Sequence, residues 1–434
     1  MTTVTPPPET PTTPLDVVTR TRAQLASDKR LRIIVLTVAG FAALSVARVI
    51  ADTPDLTEGA TFSLTIGLAS PILLAGLCGL VSERSGIINI GLEGMMVMGT
   101  FFAGWAGYEL GPWWALVFGV LGGMLAALLH AVATVTFGVD QIVSGVAINL
   151  ITPGVARFLA NELFVGKADG TITQSPSMTS NIGAFNPGIG SYSLEDVSEW
   201  FGRINEKGWF FISDVAGLLQ GVTSISKVTL IAWLMLPLFG YILWRTAFGL
   251  RLRSAGEKPA AADSLGVSVY RMRYLGVTIS GGLAGLGGAW LVLYIGAYNQ
   301  GQVAGRGFQG LAAMIFGNWR PGGLGVGAGL FAYAQSISLG LEANSTVLGL
   351  ILLATFIFAA MAVVAVVRRK VTPAIGMGAL GVASLFFYMQ VDQVNNQIVY
   401  ITPYVVTLLV LTLASQRLRP PAAEGKPWFK GQSE

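Results

Sequence analysis

Glu93 is the only carboxylate set well inside an apolar run of this chain of 434 residues. If that run crosses a bilayer, a central charge costs about 2.5–3.5 kcal/mol on insertion scales, so something must compensate it. Helical spacing puts Asn89 one turn earlier and Thr100 two turns later, which predicts a polar stripe on a helix starting at Gly86. Two readings stay open: the stripe faces a bundle interior or cavity, or Glu93 sits shallow and pairs with a backbone group or a neighbouring helix. Gln141, Ser144 and Asn149 share one side of a second apolar run. They form either the second wall of such a cavity or hydrogen bonds between helices, since amides and hydroxyls join helices in lipid. Tyr294, Tyr298, Asn299 and Gln300, at the outer end of a third run, offer an aromatic face and neutral donors and acceptors.

Other chemistries lack their residues. One cysteine (Cys78) and one histidine (His130), each within an apolar run, cannot build a disulfide framework, a zinc cage or a Cys/His pair, and read as packed side chains. No GxxxxGK[ST] string occurs, so this chain binds no nucleotide in the P-loop manner, and if ATP drives it another chain holds the ATP. The apolar runs carry no His, Asp and Glu cluster for metal or acid–base work, which places a membrane-embedded enzyme behind a transporter.

The elements that position these residues are membrane helices. The chain is 53% hydrophobic and 12% charged, with 55 glycines, the balance of a protein solvated by lipid. Apolar runs fall near residues 31–50, 60–82, 87–107, 113–136, 141–161, 228–244, 274–297, 307–319, 322–341, 346–367, 372–390 and 398–415. They predict an all-α polytopic bundle of about 10–12 transmembrane helices, since a bilayer core takes about 20 helical residues. The run at 307–319 is short and reads as a half-helix or re-entrant segment, tolerated where it is buried in protein or lines a wet cavity. The small-residue runs from Gly281 to Gly288 and Gly322 to Gly329 read as close helix contacts.

Residues 1–30, rich in Pro and Thr, read as a disordered tail, and the first apolar run as a retained helix. With both termini in the cytoplasm, 20 of the 27 basic residues fall inside, as the positive-inside rule requires. The membrane domain is then 31–415, followed by a cytoplasmic tail, 416–434. The outside loop, 162–227, contains an amphipathic helix with Leu194, Val197, Phe201 and Ile204 at helical spacing and Ser193 placed to cap it. With Trp200 and Trp209 nearby it reads as a helix in the membrane interface, or as a dock for an extracellular partner. In the inside loop, 246–272, Pro259 suits a first helical position, alanines extend the helix and Gly266 ends it, making a two-turn helix flanked by Arg251, Arg253, Arg271 and Arg273.

The strings from Glu83 to Met96 (ERSGIINIGLEGMM), Gln141 to Leu150, Gly249 to Glu257, Gly305 to Phe308 and Pro403 to Pro427 resemble the permease subunits of bacterial ATP-binding cassette importers. The group serves branched-chain amino acids, simple sugars and nucleosides, and the Asn-Ile-Gly-Leu-Glu-Gly version is most similar to its nucleoside and simple-sugar branch. The resemblance spans about residues 60–340 and 402–428. It departs at about 343–398, where an extra helix pair is expected. It implies a partnership of a second permease subunit, typically non-identical, two ATPase subunits carrying ATP and magnesium, and an extracytoplasmic substrate-binding lipoprotein. It also implies that Gly256, Glu257, Pro259, Ala260, Ala261, Asp263, Leu265 and Gly266 belong to a coupling helix seated in an ATPase groove. The chain itself is then expected to bind no cofactor and no nucleic acid, to sit in the bacterial cytoplasmic membrane, and to work by alternating access. The rival is a secondary transporter driven by an ion gradient, for which Glu93 is the single intramembrane carboxylate on offer.

Overall fold

The computed structural model describes residues 29–178, 194–340, 343–391, 393–414 and 418–430. The expected disordered tail lies almost wholly outside the described residues, as does Ser193. Among the described residues the chain is built of α-helices, with one isolated β-bridge between Gln174 and Asn299. In chain order the helices are α1 (Lys29–Ala51), α2 (Gly59–Arg84), α3 (Leu92–Glu109), α4 (Pro112–Ala131), α5 (Gln141–Leu163), α6 (Leu194–Asn205), α7 (Ile212–Thr223) and α8 (Lys227–Arg245). There follow α9 (Ala247–Glu257), α10 (Pro259–Ser264), α11 (Val269–Ile295), α12 (Arg306–Phe316), α13 (Pro321–Ser338), α14 (Ala343–Val367), α15 (Val371–Gln390) and α16 (Asn396–Ala414). Among the described residues, seven segments are long and apolar enough to cross a membrane, containing α2, α4, α5, α8, α11, α14 and α15. The other apolar runs form α1, α3, α12, α13 and α16.

Local chemistry sets the helix ends. The Asp140 carboxylate accepts from the Ile142 and Val143 N–H groups and opens α5, while Ser226, Thr246 and Ser268 cap α8, α9 and α11. Proline occupies the first position of α4, α10 and α13, where its missing N–H costs nothing. Gly266 closes the turn after α10 at φ +81°, the left-handed backbone its position called for.

The core centres on α2 and α11, whose flanks are almost wholly buried. α4 and α11 meet along matched small residues four apart: Gly119, Gly123 and Ala127 against Gly281, Gly285 and Ala289. A Cβ on Gly285 would fall on the Gly119 carbonyl, and one on Gly123 would lie 2.7 Å from the Gly285 backbone. α3 joins the same seam, since a Cβ on Gly288 would lie 2.7 Å from the Thr100 amide nitrogen. Removing side chains lets backbones touch, which is how helices gain dispersion contact when lipid already solvates their apolar surface. The run from Gly322 onward is mixed: Gly323 packs on Gly317, whereas Gly322 and Gly329 face open space.

One expectation needs correction. The run at 87–107 is not one helix, because α2 turns out of helical geometry at Gly86 (φ +96°) and α3 begins only at Leu92. Three β-branched isoleucines between glycines favour an extended backbone there. The loop helix α6, read as an interface helix or a partner dock, packs on its neighbour α7. Its Gly202 packs on Gln220 of α7, and Asn205 Nδ2 donates to the Thr57 (3.2 Å) and Ser213 (2.8 Å) carbonyls. Asp214 of α7 in turn pairs with Arg48 at 2.7 Å and accepts from Thr57, anchoring the loop to α1 and α2. Trp200 and Trp209 remain exposed.

The α4–α11 seam predicts that Gly285→Leu abolishes monodisperse folded protein in size-exclusion chromatography, since overpacking costs at least about 1–3 kcal/mol and here meets backbone. Gly329→Leu, placed in open space, leaves the profile unchanged.

Candidate functional site

Two stretches of irregular backbone run inside the bundle. The first, Gly86–Gly91, links α2 to α3. The second, Gly296–Gly305, links α11 to α12. α12 starts beside the middle of α2: a Cβ on its Gly310 would meet Ala75 and Gly76, Met314 packs at Gly79, and Trp319, just beyond the helix, reaches Glu83. With 11 residues, about 16 Å of helix, α12 is the half-helix its length suggested. The amino ends of α3 and α12 therefore meet inside the protein, each presenting unpaired N–H groups and the positive end of a helix dipole.

Glu93 stands at that meeting. The Gly305 N–H donates to its Oε1 (2.7 Å) and the Gly307 N–H to its Oε2 (2.8 Å), with a further backbone bond from Phe308 and the Arg306 guanidinium nearby. A carboxylate in the first turn of one helix thus caps the start of another. Gly307 has no room for a side chain, because a Cβ would lie 2.7 Å from the Glu93 backbone. This is the backbone pairing that was one of the two readings of Glu93.

The polar face of α5 serves the first irregular stretch. Gln141 Oε1 accepts from the Ile88 N–H (2.6 Å). Asn149 takes the Gly94 N–H (2.8 Å) and donates to the Ile90 carbonyl (2.9 Å). Ser144 reaches the same stretch through His130, whose Nδ1 bonds its hydroxyl at 2.8 Å and whose Nε2 bonds the Ile88 carbonyl at 3.1 Å. Asn89 is fully buried on the irregular segment, with Nδ2 near Cys78, Met95 and Ser280. It does not share a helical stripe with Glu93, and Thr100 bonds back to Val97 of its own helix.

Tyr298 and Asn299 lie apart from this cluster, beside the second half of α3. The Tyr298 ring packs between Phe101 and Phe164, and its backbone pairs with Ser175. The Gln300 N–H donates to the Thr173 carbonyl at 2.7 Å, so the loop after α5 pins the second irregular stretch. Tyr294 stacks on Trp290 at 4.9 Å. The exposed face of the stretch carries Gln300, Ala304 and, on α12, Phe308.

At the other end of the bundle, Gly256 leaves no space for a Cβ against the Arg84 carbonyl and Gly86, and Glu257 pairs with Arg84 at 3.2 Å. Arg84 also donates to the Trp319 carbonyl (2.8 Å), while the Trp319 indole donates to the buried Glu83 (2.6 Å). Pro259 is buried, and Ala261, Leu265 and Gly266 are exposed, Leu265 at 84%. Ala260 and Asp263 are half-buried. Sequence reasoning read His130 as a packed side chain, and it is fully buried, but missed its hydrogen bonds, the role of Glu83 and the Gly305 and Gly307 donors. The short run opening on Gly305-Arg306-Gly307 carried the signal, since a buried helix start calls for an anion.

The family model of the permease component of branched-chain amino acid transport systems matches residues 61–361. The chain is 35% identical to the guanosine ABC transporter permease protein NupQ of Bacillus subtilis over 85% of its own length and 96% of that protein's. It is 38% identical to the nucleoside ABC transporter permease protein NupC of Lactococcus lactis, covering 62% of this chain and 79% of that one. It is 33% identical to the putative glucose ABC transporter permease protein TsgC13 of Haloferax volcanii, covering 66% and 81%. No solved structure matches.

Glu93→Leu strands buried N–H groups and is expected to lower stability by about 2–5 kcal/mol, read as a fall in thermal unfolding temperature in lipid nanodiscs. Glu93→Gln keeps one acceptor and should fall between that variant and the native chain. Unchanged unfolding for both would remove Glu93 from the junction's support.

Proposed function

The chain belongs to the permease-component family of branched-chain amino acid transport systems, and from that premise we propose that it conducts a nucleoside across the bacterial cytoplasmic membrane. It is a multi-pass transmembrane permease subunit of an ATP-binding cassette importer, a transport component rather than an enzyme, with the ATPase on a separate chain. That membership sets aside the ion-gradient alternative. The nucleoside reading rests on one observation: the match to a guanosine permease runs through 96% of that protein. A simple sugar is the second reading, carried by the Haloferax relative.

The working assembly in this reading pairs the chain with a second, non-identical permease, two ATPase subunits holding ATP and magnesium, and an extracytoplasmic binding lipoprotein. The outward face of α5, with Ile142, Val143, Val146, Leu150, Ile151 and Phe158 exposed, is available to lipid or the second permease. Both termini, the 246–272 loop and the 416–434 tail face the cytoplasm, and the 162–227 loop the outside, in line with the distribution of basic residues. The helix pair α14 and α15 is peripheral to the pathway.

Substrate passes beside the two irregular stretches. Asn89, Glu93, Gln141, Ser144, Asn149, Tyr298 and Asn299 act there by holding broken backbone in place. An ATPase seated on α10, against Ala260, Ala261, Asp263 and Leu265, moves Gly256 and Glu257. The Glu257–Arg84 pair and the contact of Gly256 with Gly86 carry that motion to the first stretch, and Glu93 carries it to the second. Alternating access follows as a shift of the two half-helices about their shared start.

Reconstituted with its partners, the transporter is expected to take up labelled guanosine, with competition by other nucleosides and none by glucose. The reverse pattern would move the substrate to sugars. Ala260→Gly with Ala261→Gly weakens α10 by about 1 kcal/mol per residue and should leave insertion intact while separating ATP hydrolysis from uptake. Full uptake by this variant would sink the coupling role.

A further inference from the structure

The segment after α16 is laid across the cytoplasmic end of the bundle. The Ala422 N–H donates to Glu257 (3.2 Å), the Ala423 N–H to the Gly256 carbonyl (2.9 Å) and the Gly425 N–H to the Gly86 carbonyl (3.3 Å). Arg273, at the start of α11, donates to the Lys426 carbonyl at 3.0 Å, and the Trp428 ring meets Tyr270 edge-on at 5.2 Å. The Glu424 carboxyl lies beside Glu83, and burial lifts it above the usual carboxylate range. The segment is therefore a strap whose Ala422–Gly425 portion binds both the end of α9 and the first irregular stretch.

Strap and α10 enclose a cavity of about 450 Å³ that opens beside α10. Its lining includes Lys258, Arg273, Lys426, Glu257, Pro259 and Trp428. Three cations face one carboxylate there, and Glu257 is already taken by Arg84 and the Ala422 N–H. Arg273 is 3% exposed, and its Nε and Nη2 find no acceptor; the Trp428 indole N–H also has none. A buried guanidinium without an anion is costly, and an anion seated above it offsets that cost. The exposed Leu265, just past the end of α10, supplies an apolar contact beside it.

We propose that this cavity is a socket for an acidic side chain of the ATPase subunit, so that the partner grips α10 and the strap together. The proposal rests on the reading that an ATPase docks at α10. The strap then transmits force, because a partner carboxylate held between Lys258 and Lys426 would pull on α9 and on the Gly86–Gly91 stretch at once.

The test uses the assembled transporter with its own partner permease and ATPase chains. A carbodiimide, which joins a carboxylate directly to an amine, should link Lys258 or Lys426 to an Asp or Glu of the ATPase, located by peptide mass spectrometry. Lys258→Glu with Lys426→Glu should weaken ATPase binding about tenfold, and reversing the linked acid should restore it. A cysteine placed at Ala261 monitors docking separately. If it cross-links to the ATPase while neither lysine does, the socket is wrong and the docking reading stands. If it too fails, docking at α10 falls and the socket falls with it. If inorganic phosphate, without ATPases, shields both lysines from acetylation as well as the ATPases do, the cavity takes free anions and the proposal is overturned.

Discussion

A backbone that leaves helical geometry inside a bilayer must find every hydrogen-bond partner within the protein, and this structure meets that constraint with the Glu93 carboxylate. Two half-helices begin at the same place, and their N–H groups and dipoles make a concentration of positive potential that no neutral side chain balances as well. One acid in the first turn of α3 answers the start of α12. The α5 amides and His130 then satisfy what remains of the first irregular stretch. These polar residues are costly in lipid, and each has a backbone group to repay it.

The rest of the fold packs around that junction and differs in kind between its two ends. Backbone contact between α4 and α11 along their small residues makes a dense, dry wall behind α3. The loop after α5 fixes the second stretch through Ser175 and Thr173. At the end that carries α9 and α10 the links are of another kind: a half-exposed ion pair, a close glycine contact and a strap of single backbone bonds.

Much of this was legible in the chain. Hydrophobic run length gave the helices, the proline and glycine around α10 gave its limits, and the 307–319 run announced a half-helix by being too short. Glu93 stood out by cost alone. What the sequence did not reveal was where each polar group points. A 3.6-residue period puts Asn89 on the same face as Glu93 only if the helix is unbroken, and the isoleucines between Gly86 and Gly91 break it. Gln141 and Asn149 read equally as cavity wall or interhelical contact, because choosing requires knowing that an irregular backbone lies opposite. Partners 212 and 214 residues away, Gly305 and Gly307, leave no periodic trace. The strap reads in sequence as a plain tail, since no periodicity marks a segment bound by single backbone bonds.

The central claim is that the Glu93 junction persists while the transporter changes state. Residue-resolved hydrogen exchange on the assembled transporter in nanodiscs measures this directly at the Gly305 and Gly307 amides. Both should stay strongly protected with ATP absent and with the ATPases trapped in the ATP-bound state, while the neighbouring exposed Gly301 amide exchanges freely. Rapid exchange at either glycine in either state would contradict a fixed junction and leave the two half-helices without a common anchor.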